Sequence, residues 1–145
     1  KHLPPCLIVD GYNMIFSLDI FKEYKDDELE ISREKLLDIL FNYQAFTGEK
    51  MIVVFDGYKV KDNLGTIYSR KDMEVVYTSS NLTADAYIER FVVDHQKEYD
   101  LTVVSSDGLI QNAIFAHGAK RMSARELFGR ITFINQEIEE QLAHS

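Results

Sequence analysis

Four short runs of apolar residues punctuate the chain: CLIVD at 6–10, MIVVFD at 51–56, MEVVY at 73–77 and LTVVSSD at 101–107. They are continuous rather than alternating, which is the pattern of strands buried on both faces of a sheet. Between them the periodicity becomes helical. In SREKLLDILFNYQAF (32–46) Leu36, Leu37, Leu40, Phe41 and Gln44 fall near one stripe, Ser32 stands where an N-cap is expected, and Gly48 where a helix stops. Residues 83–98 predict a second helix, capped by Thr83, that buries Ile88, Phe91 and Val92. A shorter apolar helix follows over 108–117, and Ser123 and Glu126 stand at capping-box spacing for another. INQEIEEQLAHS then closes the chain as a polar helix. Strands alternating with helices predict a mostly parallel sheet flanked by helices, a three-layer α/β domain.

With 145 residues, 46% of them hydrophobic, the expectation is one domain spanning 1–145. Both prolines, Pro4 and Pro5, lie at the start, and no low-complexity linker divides the rest. The chain opens without Met and ends in a helical pattern, so both termini are expected to be trimmed. Cys6 is the single cysteine, which excludes an intrachain disulfide and argues against cysteine-held zinc. No basic-then-apolar leader precedes LIVD and no run approaches the ~18 apolar residues of a membrane span. A cytoplasmic setting with no membrane partner is the expectation. The net charge of −8 argues against a surface that grips nucleic acid everywhere, because that binding depends on Lys and Arg neutralising phosphates. Any such contact has to be local. Basic residues gather in GYKVKDNLGTIYSRK, with Lys59, Lys61, Arg70 and Lys71, and in HGAKRMSARELFGR, with Lys120, Arg121, Arg125 and Arg130.

The carboxylates are placed more pointedly. Asp10 ends the first strand run, Asp56 the second and Asp107 the fourth, while Asp85 lies in the first turn of the helix after the third. A parallel sheet brings all these carboxyl ends to one edge, where open α/β sheets bind their ligands. Each aspartate alone is adequately explained as a cap of a turn or helix. Together they are not, because clustered carboxylates repel unless protons or a cation neutralise them. Oxygen ligands alone suit a hard ion, Mg²⁺ or Mn²⁺, and such ions activate in-line attack on phosphorus. Phosphodiester hydrolysis is the chemistry this implies. Glu89, one helical turn after Asp85, is either an outer ligand or an exposed acid. Asn13 either orients Asp10, contacts a phosphate or satisfies a turn, and Gly11 is read as a sharp turn leaving a phosphate room to approach.

VDGYNMI contains the DGYN signature of the NYN-domain nucleases, a branch of the PIN-like ribonuclease fold. VVFDG, TAD with IE behind it, and SSD followed by AIFAHGAKRMSAREL resemble the bacterial YacP-like, ribosome-associated endoribonucleases, and the likeness runs from Leu7 to about Ile131. The resemblance implies a PIN-like/NYN fold and divalent-metal-dependent endonucleolytic cleavage of mRNA on the ribosome. It makes Asp10 and Asp85 the principal catalytic acids, Asp56 and Asp107 supporting metal ligands and Asn13 the signature amide. Tyr58 and Tyr68, flanked by Lys59, Lys61 and Arg70, are candidates to stack on unpaired bases or to pack in the core. Arg121 and Arg125, beside the Ser123 helix start, are candidates to hold a phosphate, with a plain capped surface helix as the rival.

Two other classes stay open. A phospho-accepting receiver-like domain also has acids at strand ends, but it needs an acidic neighbour at the first strand and a lysine directly after LTVVSS, and this chain has neither. A phosphatase of the haloacid-dehalogenase type needs an aspartate where Tyr12 stands. A non-catalytic RNA- or ribosome-binding module on the same fold is separated from the enzyme only by an activity assay.

Overall fold

The computed structural model describes residues 2–24, 28–57, 66–79 and 81–144, and of residues 66, 67, 109, 111, 113 and 115 only the backbone. Six strands form one sheet: β1 (Pro5–Asp10), β2 (Lys50–Phe55), β3 (Thr66–Arg70), β4 (Met73–Tyr77), β5 (Asp100–Val104) and β6 (Lys120–Met122). Their spatial order is β3-β4-β2-β1-β5-β6. All neighbours are parallel except β3, which runs antiparallel to β4 at one edge. The helices are α1 (Gly11–Ser17), α2 (Leu29–Thr47), α3 (Ala84–His95), α4 (Gly108–Phe115) and α5 (Ala124–Ala143). This is the mixed α/β architecture, with a mostly parallel sheet between helices, that the apolar runs predict.

Alternate residues of the central strands feed two cores. Leu7, Val9, Met51, Val53 and Phe55 pack under α1, α2 and α5, whereas Cys6, Ile8, Ile52 and Val54 pack under α3 and α4. Coverage on both faces is why these strands read as unbroken apolar runs. Burying a side chain such as Ile8 or Phe55 contributes about 1.5–3 kcal/mol, so the two layers carry the fold. Cys6 belongs to this packing, and burial pushes its thiol up to about 11, which leaves it an inert apolar filler.

Several local expectations are corrected. Edge strands β3 and β6 have no apolar run in the sequence, because an edge strand pairs on one side only and TIYSR and KRM take their register from backbone bonds. Ser32 does not cap α2. It is buried within that helix, which begins three residues earlier at Leu29. Gly11 is the first residue of α1, where the chain passes directly from strand to helix. A Cβ on Gly11 would stand 2.3 Å from Phe55 Cε1, so glycine is needed to let α1 close onto the end of β2. Thr83 does cap α3, and Ser123 and Glu126 do form a reciprocal capping box on α5.

Candidate active site

The chain crosses the sheet on opposite faces either side of β1. The β1 to β2 connection carries α1 and α2 on one face, and the β4 to β5 connection carries α3 on the other. The winding therefore reverses between β1 and β5, and the carboxyl ends of these strands are where open α/β sheets form their ligand crevice. Asp10 is the last residue of β1 and also the N-cap of α1, its Oδ1 accepting from the Asn13 backbone N–H at 3.2 Å. A strand that turns directly into a helix leaves this carboxylate only 8% exposed, held from both sides. Asp56 follows β2, Asp85 is the second residue of α3, and Asp107 lies three residues past β5.

Electrostatics show that these acids share one place. Asp10 is pushed from 3.8 up to about 6, first by burial; its hydrogen bond from Asn13 opposes the rise, and the charges of Asp85, Asp107 and Asp56 add to it. Asp85 is raised too, by burial and then by the charge of Asp107, with which it shares a hydrogen bond, and by Asp56. Asp10 is within electrostatic reach of Asp85, Asp107 and Asp56, and Asp85 of Asp107 and Asp56. Glu89 lies on an exposed part of α3.

Asn13 acts as a clasp. While its backbone caps Asp10, its side-chain Oδ1 accepts from the Ser106 N–H at 2.9 Å, tying the first turn of α1 to the loop that carries Asp107. That loop is held further by Ser105, fully buried, whose Oγ accepts from the Asp107 N–H at 3.2 Å and whose N–H donates to the Met122 carbonyl at 3.0 Å. Thr78 plays the matching part on the other side: its Oγ1 accepts from the Gly57 N–H and its N–H donates to the Phe55 carbonyl, both at 3.0 Å, so the segment bearing Asp56 is pinned to the end of β4. Ser105 and Thr78 were not singled out in the sequence. Their signal was a small hydroxyl directly after an apolar strand, a position where side chains commonly satisfy loop backbone.

Aromatic rings support the same edge from the α2 side. Tyr12 meets Phe55 edge-on at 5.1 Å and Phe55 stacks on Tyr77 at 5.4 Å. The Tyr12 hydroxyl accepts from Arg33 at 3.0 Å, so Tyr12 is a core residue with a polar anchor. Phe16 continues the row outward from Tyr12 at 6.0 Å, 56% exposed, and Tyr68 continues it from Tyr77 at 5.9 Å, 59% exposed.

The basic candidates separate. Arg125 lines a concavity beside Ser106 and Ser123, next to the acidic crevice, whereas Arg121 lines another between β1, β5, β6 and α5 with Glu49, Glu126 and Arg130. Arg70 lays its guanidinium 3.6 Å over the Phe41 ring, a packing role on α2. Tyr58, Lys59 and Lys61 lie outside the described residues. The Ser123 helix start is occupied by its own capping box, which uses the Ser123 and Glu126 backbone N–H groups.

An all-oxygen donor set of four carboxylates suits Mg²⁺ or Mn²⁺ in chemistry and charge. Among the described residues, no three His, Cys, Asp or Glu side chains are grouped tightly enough to share one ion as they stand. Donor chemistry and mutual charge are therefore what support a cation here, not ligand distances.

Comparison with known proteins covers almost the whole chain. Residues 7–145 match the family described as YacP-like NYN domain. The Bacillus subtilis (strain 168) protein YacP is 38% identical over 137 residues, 94% of this chain and 80% of that protein. The crystal structure of a single-substitution variant of Rae1 (YacP) from Bacillus subtilis superposes with a TM-score of 0.83 at 35% identity, covering 97% of this chain and 82% of that one. A second crystal structure of the same protein gives 0.75 at 34% identity, covering 96% and 80%.

Proposed function

Because the chain belongs to the YacP-like NYN domain family, which has a nuclease fold, we propose that it is a metal-dependent endoribonuclease that hydrolyses RNA phosphodiester bonds, with ribosome-associated mRNA as its substrate. What supports this reading is that Asp10 is pushed up to about 6 first by burial, with the charges of Asp85, Asp107 and Asp56 adding to the rise. Stored repulsion of this kind is costly for a fold and is found where a ligand relieves it.

Asp10, Asp56, Asp85 and Asp107 would hold Mg²⁺ or Mn²⁺, which when bound supplies charge neutralisation at the phosphate and a more acidic water. The chain's own residues do the rest. Asp10 is fixed by β1 and by the Asn13 N–H, so its carboxylate stays aimed without loss of entropy during the reaction. Asp85 and Asp107 are the acids that would take the proton released by the attacking water, Asp85 being raised by burial and then by the Asp107 charge. Asn13 keeps β1 and the Asp107 loop in register across the crevice.

Purified protein incubated with single-stranded RNA and with translating ribosomes, each with Mg²⁺, Mn²⁺ or EDTA, tests the reading. Cleavage that needs the divalent ion and disappears in Asp85→Asn is expected. Cleavage that persists in EDTA, or no cleavage of either substrate, overturns it.

A further inference from the structure

The concavity between the end of α1 and the start of α5 has about 440 Å³ and is lined by Phe16, Ser17, Asp19, Lys22, Ser106, Ser123 and Arg125. Four features make it unlike the other hollows of the molecule. It adjoins the crevice directly, since Ser106 precedes Asp107 and receives the Asn13 clasp. Its apolar wall is Phe16, an aromatic ring left 56% exposed although its inner side leans on Tyr12. It carries two cations against one carboxylate on a chain whose net charge is −8. Finally, the carboxylate is spoken for: Asp19 pairs with Lys22 at 3.0 Å, and that hydrogen bond and charge, with a smaller contribution from Arg125, hold it below its usual value.

We propose that this concavity binds one nucleotide of single-stranded RNA beside the bond being cut, with the base against Phe16 and a phosphate against Arg125. The size suits one nucleotide, because small-molecule sites begin at about 300 Å³. An exposed ring next to a cation is the combination that holds unpaired bases, with stacking tolerant of base identity and the cation tracking the backbone. Ser17 and Ser106 offer hydroxyls for the ribose or the base edge. The capping box of α5 uses the Ser123 and Glu126 N–H groups, and the proposal rests on the Phe16 and Arg125 side chains. Local charge also resolves the conflict between an acidic chain and a polyanionic substrate: the substrate is gripped at a point, not over the surface.

The proposal rests on the nuclease reading for its neighbour, the scissile bond, but its test does not. Binding of a fluorescent single-stranded oligoribonucleotide is measured in EDTA, across a salt series, for the wild type, Phe16→Ala, Phe16→Tyr and Arg125→Gln, with thermal unfolding as a check of folding. Phe16→Ala is expected to weaken binding about tenfold at unchanged salt slope. Phe16→Tyr should bind like the wild type. Arg125→Gln should weaken binding and flatten the slope by about 0.7, the loss of one single-strand phosphate contact. Wild-type affinity in both Phe16→Ala and Arg125→Gln overturns the site. Cleavage with Mg²⁺ or Mn²⁺ is then assayed separately. A protein that binds through Phe16 and Arg125 yet never cuts keeps the nucleotide site and loses the nuclease reading; one that cuts while both variants bind and cut normally does the reverse.

Discussion

The two ends of the sheet hold carboxylates in opposite company. At the carboxyl ends of the strands Asp10 and Asp85 are raised first by burial and then by neighbouring acids, Asp85, Asp107 and Asp56 acting on Asp10, and Asp107 and Asp56 on Asp85. At the amino ends the acids face lysines: Asp100 Oδ2 lies 3.2 Å from Lys120 Nζ, and Glu74 Oε1 lies 3.5 Å from Lys50 Nζ. The amino end also has a concavity of about 420 Å³, lined by His2, Tyr99, Asp100 and His117 among others. Space alone would point to either end. What separates them is that paired charges stabilise a fold by themselves, whereas like charges held together wait for something to neutralise them.

The largest expected effect is on catalysis. Asp10→Asn and Asp85→Asn should each lower RNA cleavage by roughly 10²-fold or more with unchanged far-UV circular dichroism, while Asp100→Asn at the opposite end cleaves like the wild type. Equal effects at the two ends would erase the distinction between them.

Next comes stability against pH. Asp10 titrates at about 6 in the folded chain against 3.8 for an unperturbed aspartate, so the folded state binds its proton more tightly. Its contribution to stability is complete below pH 3.8 and is lost as pH rises through about 6. The loss is on the order of 3 kcal/mol by the worth of a pKa shift. Asp10→Asn retains a capping side chain and removes the charge. In EDTA it should melt higher than the wild type at neutral pH, with the gap closing under acidic conditions. A lower melting temperature at neutral pH would mean that the carboxylate is a simple cap. Excess Mg²⁺ should raise the wild type more than this variant, because an ion that binds only the folded state stabilises it by mass action.

Gly11→Ala sharpens the comparison by disturbing the crevice without touching charge. Its Cβ collides with the Phe55 ring, a rigid group at the end of β2. A cost of about 1–3 kcal/mol in denaturant unfolding is expected for such overpacking, and Gly11→Ala with Phe55→Leu should lose less than the two single costs added together. Additive losses would show that the ring is not the obstacle.

The smallest effect belongs to the amino end. Asp100→Asn removes a half-exposed pair with Lys120 and should cost roughly 0.2–1 kcal/mol, with the deficit shrinking in high salt. A larger, salt-independent loss would reveal a buried role for Asp100.

Much of this molecule was legible in one dimension. Continuous apolar runs mark strands covered twice, so β1, β2, β4 and β5 declared themselves, and with them the edge where Asp10, Asp56 and Asp107 had to arrive. The caps Thr83 and Ser123 were legible because capping is a local bond between residues three apart. Edge strands β3 and β6 were not, since their pairing is made by backbone atoms that every residue has.

Sequence alone therefore determined which acids share an end of the sheet, because in a parallel sheet strand direction and side-chain period are properties of the chain itself. Only the tertiary structure decided what their surroundings do to them. The burial of Asp10, the neighbouring charges that raise Asp10 and Asp85, and the approach of Phe55 to Gly11 depend on distances between segments far apart in sequence. The Asn13 bond to Ser106 spans 93 positions, and Arg121 in β6 and Arg125 in α5 end in different concavities. Charge and packing act through space, and the chain order fixes that space only after the sheet has closed.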